Sequence, residues 1–311
     1  MGTRSEVLAD IALLRQALST AGSPHLPLLQ LQPWRPLRDV ALDLSLIAIA
    51  LSAALMQPWA VPLALLVLGN RQRSLGNILH DAAHRNLTRD RWLNDLLTRA
   101  LIAPLLFVSL SRYRDLHFRH HLDLGEAGAD PDLIPIPHRK ADSWLHAVAV
   151  NLLSWPAIFG SVFGHLLDRA VPRKHRLYIV AWWAAVCSLM AMVFGHSAVG
   201  EALAVWLLAR GTAFHAITTY REMCDHHGLK PGGVFSFTRD FTGQGPWTWL
   251  FHPRNNAYHL THHLLPAVPY YRLPEAQRLF ATIPPYQCRA RVCSRYFDGE
   301  SAMVSAWQQE R

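Results

Sequence analysis

Apolar residues gather into four long runs along this chain, and the breaks between them define the expected elements. Residues 37–56 are apolar apart from Arg38, Asp39 and Asp43. Residues 59–69 are apolar but too short to cross a bilayer, which takes ~20 residues of helix. Their helix is expected to continue through 70–77. Residues 177–194 and 198–220 form a second pair. The connection inside each pair, Gln57-Pro58 and 195–200, contains no Lys or Arg, whereas 1–38, 71–176 and 221–311 contain many. Short loops rich in Lys and Arg stay on the cytoplasmic side of a membrane. The pattern therefore predicts an all-α, integral membrane chain with four transmembrane helices in two hairpins and both termini cytoplasmic. Asp43, Glu201 and Arg210 would lie in or near the bilayer, where a charge is costly unless it faces other helices or reaches the interface.

A stretch at 145–167 is apolar enough to suggest a fifth crossing. Arg139-Lys140 precede it, however, and Arg169, Arg173, Lys174 and Arg176 follow. It also contains His146, Asn151, Pro156 and His165. It is read as an interfacial or re-entrant helix, with 101–110 a smaller version. Residues 1–36 form a cytosolic amphipathic segment, with Ile11, Leu13, Leu14 and Leu18 on one helical face, and show no cleavable signal-peptide pattern. Residues 37–285 make the core of a single membrane-embedded domain spanning 1–311, and 286–311 a cytosolic tail.

Composition agrees with membrane residence. Hydrophobic residues make up 51% and charged residues 17%, a balance outside the ordinary soluble range. Eleven tryptophans suit interfacial anchoring. A net charge of +8 raises the question of nucleic acid. The basic residues form no stripe with stacking aromatics, and no nucleic-acid motif occurs. Anionic head groups explain the charge more simply. Cys187, Cys224, Cys288 and Cys293 have neither CxxC nor zinc-ribbon spacing and are read as reduced structural thiols.

Histidine distribution then changes the picture. Eight of eighteen histidines fall in three clusters: His80-Asp81-Ala82-Ala83-His84, His117-Phe118-Arg119-His120-His121 and His259-Leu260-Thr261-His262-His263. Residues three and four apart share a helical face, so each cluster can aim two or three imidazoles at one point. A lone HxxxH is commonly a pair of solvated or core histidines. Three clusters in one chain point instead to a transition metal, such as iron, zinc or copper, rather than magnesium or calcium.

The order HDAAH, HFRHH, HLTHH resembles the three histidine boxes of the integral-membrane fatty acid desaturase superfamily, which also holds hydroxylases, carotenoid ketolases and acetylenases. The flanks match too: Asp130-Pro131-Asp132 after the second box, Asn255-Asn256-Ala257-Tyr258 before the third, and Val268-Pro269-Tyr270-Tyr271-Arg272-Leu273-Pro274 after it. The resemblance runs from about residue 40 to 285. It implies a cytosolic helical cap holding two irons, with His80, His84, His117, His120, His121, His259, His262 and His263 as ligands. It further implies a ninth ligand near a short motif ending in His after the fourth span. Arg221-Glu222-Met223-Cys224-Asp225-His226-His227 fits that position. His226 is the expected ligand, sharing a face with Glu222. His227 in its place, or neither, are the alternatives. Glu222 stands where some relatives carry an amide and is left open between binding a water, a metal or nothing. Asp81 and Asp225 sit beside expected ligands and are candidates to accept an imidazole N–H elsewhere in the site, the alternative being surface charges. Asn255 and Asn256 are candidates to fix the third-box helix or hold a water, or are plain N-caps. Asp130 and Asp132 are expected to brace the loop after the second box.

The resemblance also implies the reaction. Two irons and O2 as co-substrate would remove hydrogen from an unactivated C–H bond, and desaturation of an acyl chain is the first reading. Hydroxylase, ketolase or acetylenase activity is the alternative. The acyl substrate would ride on coenzyme A, a carrier protein or a lipid. No His-Pro-Gly-Gly haem motif and no iron–sulfur cysteine run occurs, so a separate ferredoxin-, rubredoxin- or cytochrome-type donor is expected, with the bacterial inner membrane as location. A metal transporter would place its ligands at mid-membrane, and haem needs only one or two axial histidines. Both fit the boxes poorly.

Overall fold

The computed structural model describes residues 3–22, 25–133, 143–299 and 301–307. Arg139-Lys140, expected to flank the 145–167 stretch, lie outside these residues. The described chain is all-α in character. Its one sheet is the parallel pairing of two-residue strands Asp240–Phe241 and Val292–Cys293.

Helix α1 (Thr3–Thr20) precedes the first long hairpin, α2 (Trp34–Met56) and α3 (Val61–Ala83). Gln57 turns extended and ends α2, and the 3-10 turn Pro58–Ala60 leads into α3. Next come α4 (Arg91–Leu101), α5 (Leu110–Leu122), α6 (Trp144–Leu152) and α7 (Trp155–Phe163). The Asp90 carboxylate caps α4 by accepting from the N–H groups of Trp92 and Leu93 at 2.8 and 3.1 Å. The second long hairpin is α8 (Arg173–Phe194) and α9 (His196–Ala209). The latter continues through a π-turn, Arg210–Phe214, into α10 (His215–His226). Short helices complete the cap: α11 (Val234–Phe237), α12 (Pro246–Phe251), α13 (His259–Leu264), α14 (Leu273–Phe280) and α15 (Pro284–Arg289).

Among the described helices, α2 and α8 are each long and apolar enough to cross a membrane. The bent pair α6 and α7, 56° apart, would be a third if counted as one span. The other two expected spans exist as helices of different character. The second half of α3 is polar and buried, with Asn70, Arg71, Gln72, Ser74 and Asn77 inside the protein. The fourth run is divided by the π-turn. The stretch at 145–167 is broken at Leu153-Ser154, so neither half is long enough alone. The 101–110 segment is not a helix: residues 102–107 form successive turns. Pro104, which lacks an N–H, breaks the ladder there, and Phe107 takes φ +59°. Ile102, Ala103, Leu106 and Phe107 are nonetheless buried.

The long helices carry their apolar surface outward. Leu177, Val180, Leu189, Met192, Val193 and Phe194 of α8 are exposed, as are Leu42, Leu46 and Ile49 of α2. Two of the three charges expected in or near the bilayer, Asp43 and Arg210, point the other way. Asp43 is fully buried, pairing with Arg71 and Arg254 at 2.8 Å each and accepting from Ser74 Oγ at 2.6 Å. Arg210 is buried, donating to the carbonyls of Val162 and Ser161 at 3.1 and 2.6 Å. Glu201 stays exposed beside Ser197. The two hairpins meet where Gly69 faces the π-turn. A Cβ there would lie 2.5 Å from Phe214 N, so α3 and this segment touch backbone to backbone.

Helix α1 buries Val7, Leu14 and Leu18, spaced to share one helical face. The expected face differs by one position, since Leu13 is exposed. Asp10, on the buried side, pairs with Arg289 at 2.8 Å and accepts from Phe235 N at 3.2 Å. Helix α1 is thus clamped onto the cap.

Candidate metal centre

Four helices deliver the histidines. His80 lies in the last turn of α3, and His84 caps its C-terminus. His117, His120 and His121 lie on α5, His226 ends α10, and His259, His262 and His263 lie on α13. The structure brings all nine together and divides them into two sets. One is His80, His84, His117, His121 and His262. The other is His120, His226, His259 and His263. Within each set the ligand nitrogens lie within 4.8 Å of one another.

The division follows from helical geometry. At 100° per residue, i and i+4 differ by about 40°, while i+3 swings away on the other side. His117 and His121 accordingly serve one set and His120 the other. On α13, His259 and His263 share a set while His262 crosses over. The sets abut where the His121 and His263 rings stack at 4.1 Å.

The Nε2 atoms converge. His117 Nε2 lies 2.8 Å from that of His84 and 3.0 Å from that of His121, and His262 Nε2 lies 3.1 Å from His121 Nε2. In the second set, His259 Nε2 is 2.9 Å from His226 Nε2 and 3.0 Å from His263 Nε2. Two nitrogens each ~2.1 Å from one ion and at right angles to each other would lie about 3 Å apart. The tautomers fit as well. His226 Nδ1 donates to the Phe237 carbonyl at 2.8 Å, so its Nε2 holds a lone pair. His120 Nδ1 faces the Asp130 carboxylate at 2.8 Å, which leaves its Nε2 free to coordinate. His80 Nε2 is buried without a hydrogen-bond partner. Lone pairs converging in a buried space fit transition-metal ions, and these nine imidazoles suit that group.

Burial, then the facing imidazoles, hold His117, His121, His259, His262 and His263 well below the usual imidazole pKa. Burial also disfavours the charged form of His120, but the Asp130 carboxylate, together with Asp132 and Asp225, outweighs it and raises that pKa. The five depressed histidines stay neutral when folded and bind protons when unfolded as pH falls. Metal-free protein is therefore expected to lose stability progressively below about pH 6.5, by at most ~1.4 kcal/mol per pH unit for each such histidine. Thermal melts of the chelated protein in detergent from pH 8 to pH 5 check this. A midpoint flat across that range would contradict it.

The remaining candidates separate clearly. Asp225 is buried, paired with Arg221, and lies 3.6 Å from His259 Nδ1. Asp81 bonds to no imidazole among the described residues. It accepts from Asn86 Nδ2 and Tyr270 N at 3.3 Å each, tying the end of α3 to the segment after the third box. Glu222 is half-exposed and 4.0 Å from Arg73, outside both sets. His227 is also outside them and packs near Trp307. Asn255 Nδ2 donates to Tyr270 O at 3.2 Å. Asn256 is buried, with its Oδ1 unpartnered, in a small cavity shared with His80, His259 and His262. Neither asparagine caps α13, whose N-cap is Tyr258 with no side-chain bond.

Two carboxylates do more than the sequence suggested. Asp130 does brace its loop, accepting from the N–H groups of Gly125 and Asp132 at 2.8 and 2.9 Å. Its other contact orients His120. Asp240 accepts from Thr261 N at 3.0 Å, Thr261 Oγ1 at 2.5 Å and Tyr286 OH at 2.6 Å, which fixes the rotation of α13. The Asp-Pro-Asp run hinted at Asp130. Nothing local marks Asp240, which lies twenty-one residues before Thr261.

Residues 57–294 match the family model described as fatty acid desaturase. The chain is similar to a dihydrorhizobitoxine desaturase of Bradyrhizobium elkanii, 26% identical over 274 residues, covering 79% of this chain and 75% of the relative. It is also similar to a beta-carotene ketolase of Haematococcus lacustris, 29% identical over 206 residues, covering 64% of this chain and 57% of the ketolase. A third relative is an sn-2 acyl-lipid omega-3 desaturase (ferredoxin), chloroplastic, of Helianthus annuus. It is 24% identical over 279 residues, covering 78% of this chain and 61% of the relative. The chain thus spans less than two thirds of the length of the latter two.

Proposed function

The chain belongs to the fatty acid desaturase family, and on that premise we propose that it is a membrane-embedded, O2-dependent di-iron enzyme that introduces a double bond into an acyl chain. Family membership makes it an oxidoreductase. The observation that carries the finer reading is the division of nine buried or partly buried imidazoles into two adjacent sets with Nε2 atoms near 3 Å apart. Two irons held there would supply the reduction of O2 and the hydrogen abstraction. The chain's own part is to hold and orient. Asp130 fixes the tautomer of His120, the Phe237 carbonyl fixes that of His226, and Asp240 sets the rotation of α13. The nine histidines, five buried and four partly buried, limit the access of bulk water to the centre. The electrons come from a separate donor, and the ferredoxin in one relative's name favours a ferredoxin-type protein.

The membrane reading is part of the proposal: α2, α3, α8 and the α9–α10 rod cross, and the histidine sets lie on the cytoplasmic side. The outward apolar faces of α2 and α8 and the inward charges of Asp43 and Arg210 support it. Single cysteines near Ser197 are expected to label only from outside. Those near Ser143 and Ser236 are expected to label only from the cytoplasm. Labelling of positions 143 and 174 from opposite sides would mean that α6 and α7 cross together, and the four-span reading would fail.

The similarity to a carotene ketolase favours a second reading, oxygenation of a carotenoid. Both are tested by expression with a suitable reductase in a carotenoid-producing host, followed by mass spectrometry of acyl chains and pigments. New double bonds mapped in acyl chains support the first reading. Ketocarotenoids with unchanged acyl chains would replace it by the second.

A further inference from the structure

A cavity of about 380 Å³ lies between α4, the turns after it, the start of α5 and the start of α8. None of the nine histidines lines it. One side is polar and basic: Arg99, Lys174, Ser109, Ser111 and His175. The hydroxyls of Ser109 and Ser111 are 3.2 Å apart, and His175 Nδ1 lies 3.0 and 3.4 Å from them. No acidic side chain lines the cavity, and neither Arg99 nor Lys174 is ion-paired among the described residues. The helices α5 and α8 both begin here, so their positive ends converge on the same space. The other side is apolar, with Leu96, Val108 and Ile179, and adjoins the exposed Leu177 and Tyr178 of α8. Tyr178 OH, Trp182 Nε1 and Trp183 Nε1 donate to the carbonyls of Arg99, Ala100 and Pro104 at 3.1, 2.9 and 2.9 Å. These bonds hold α8 against the wall and fix the cavity's shape.

We propose that this cavity is a binding site for a phosphate-bearing amphiphile, and that its occupant is an anionic phospholipid. The phosphate sits among Arg99, Lys174 and the two serine hydroxyls. One acyl chain lies along Leu96, Val108 and Ile179 toward the outer face of α8. Two unpaired cations, two helix N-termini and two hydroxyls form a phosphate environment, and the adjoining apolar wall calls for a chain on the same molecule. The site is separate from the metal centre and rests on the membrane reading only for the source of its ligand.

The test uses the full chain, stripped of lipid in detergent micelles, with a fluorescently tailed phosphatidylglycerol as probe. The pair Arg99→Gln and Lys174→Gln is expected to weaken binding at least tenfold. The pair Arg89→Gln and Arg91→Gln removes equal charge from exposed positions at the start of α4 and is expected to leave binding within twofold. Leu96→Trp, which narrows the apolar side without removing charge, is also expected to weaken binding. Glycerol 3-phosphate and inorganic phosphate are expected to compete only at concentrations at least a hundredfold above the lipid. Undiminished binding in the first pair, or equal losses in both pairs, would overturn the site. Competition by glycerol 3-phosphate at the lipid's own concentration would overturn its assignment to an amphiphile. The thermal midpoint of each variant, measured in the same detergent, identifies any that has unfolded, and Leu96→Trp then carries the decision.

Discussion

Alanine at any one of His80, His84, His117, His120, His121, His259, His262 or His263 is expected to abolish turnover, a loss of at least about a thousandfold, and to lower bound iron from about two per chain. Each substitution removes one nitrogen from a set of five or four. It also leaves a hole in a buried, tightly converged arrangement. His120→Ala is the most informative because His120 adjoins the other set, its ring 6.0 Å from that of His117 and 5.9 Å from that of His121. Asp130→Asn provides a graded contrast. It keeps the volume but weakens the orientation of His120, and it is expected to cost about 10- to 100-fold in metal affinity or activity. Elemental analysis of purified variants, set beside turnover, checks both. Full activity in His120→Ala would sink the di-iron assignment. So would full activity in a preparation containing only zinc, which has no redox chemistry to offer.

The parts legible from sequence are those that local periodicity controls. The spacing within each box states which imidazoles share a face, and the structure arranges them on that rule. The same rule, carried further, separates His120 from His117 and His121, and His262 from its neighbours. That step needs the relative placement of α5 and α13, which spacing alone does not contain. Long-range contacts were correspondingly hidden. Asp81 and Asp225 looked equivalent beside their box residues, yet only Asp225 approaches an imidazole. Asp81 is turned toward Asn86 and Tyr270. Hydropathy located the long helices but not the inward orientation of the second half of α3. Its polar residues read only as a continuation of the helix beyond the apolar run, whereas they meet partners on distant segments: Asn70 donates to Trp249 O and Leu250 O, and Asn77 to Pro253 O. The apolar run at 101–110 reads as a helix, but Pro104 breaks it into turns.

His226 is where sequence was least decisive, and the structure supports a sharp expectation there. His226→Ala is expected to lose iron as severely as a box substitution, whereas His227→Ala should retain most of it. His226 is the last residue of α10, with its Nε2 2.9 Å from His259 Nε2 and its Nδ1 bound to the Phe237 carbonyl. The chain leaves the helix at His227, whose backbone is extended (φ −62°, ψ 136°). Its ring turns toward Trp307, 6.0 Å away. The carbonyl of His227 accepts from Arg239, so this residue anchors the cap through its backbone, which alanine preserves. Glu222→Gln should keep the metal, because the half-exposed carboxylate faces Arg73 rather than either set. Iron content of the three variants, measured together, decides the matter. If His227→Ala loses iron while His226→Ala keeps it, the end of α10 is out of register by one residue, and the four-member set has been assigned the wrong histidine.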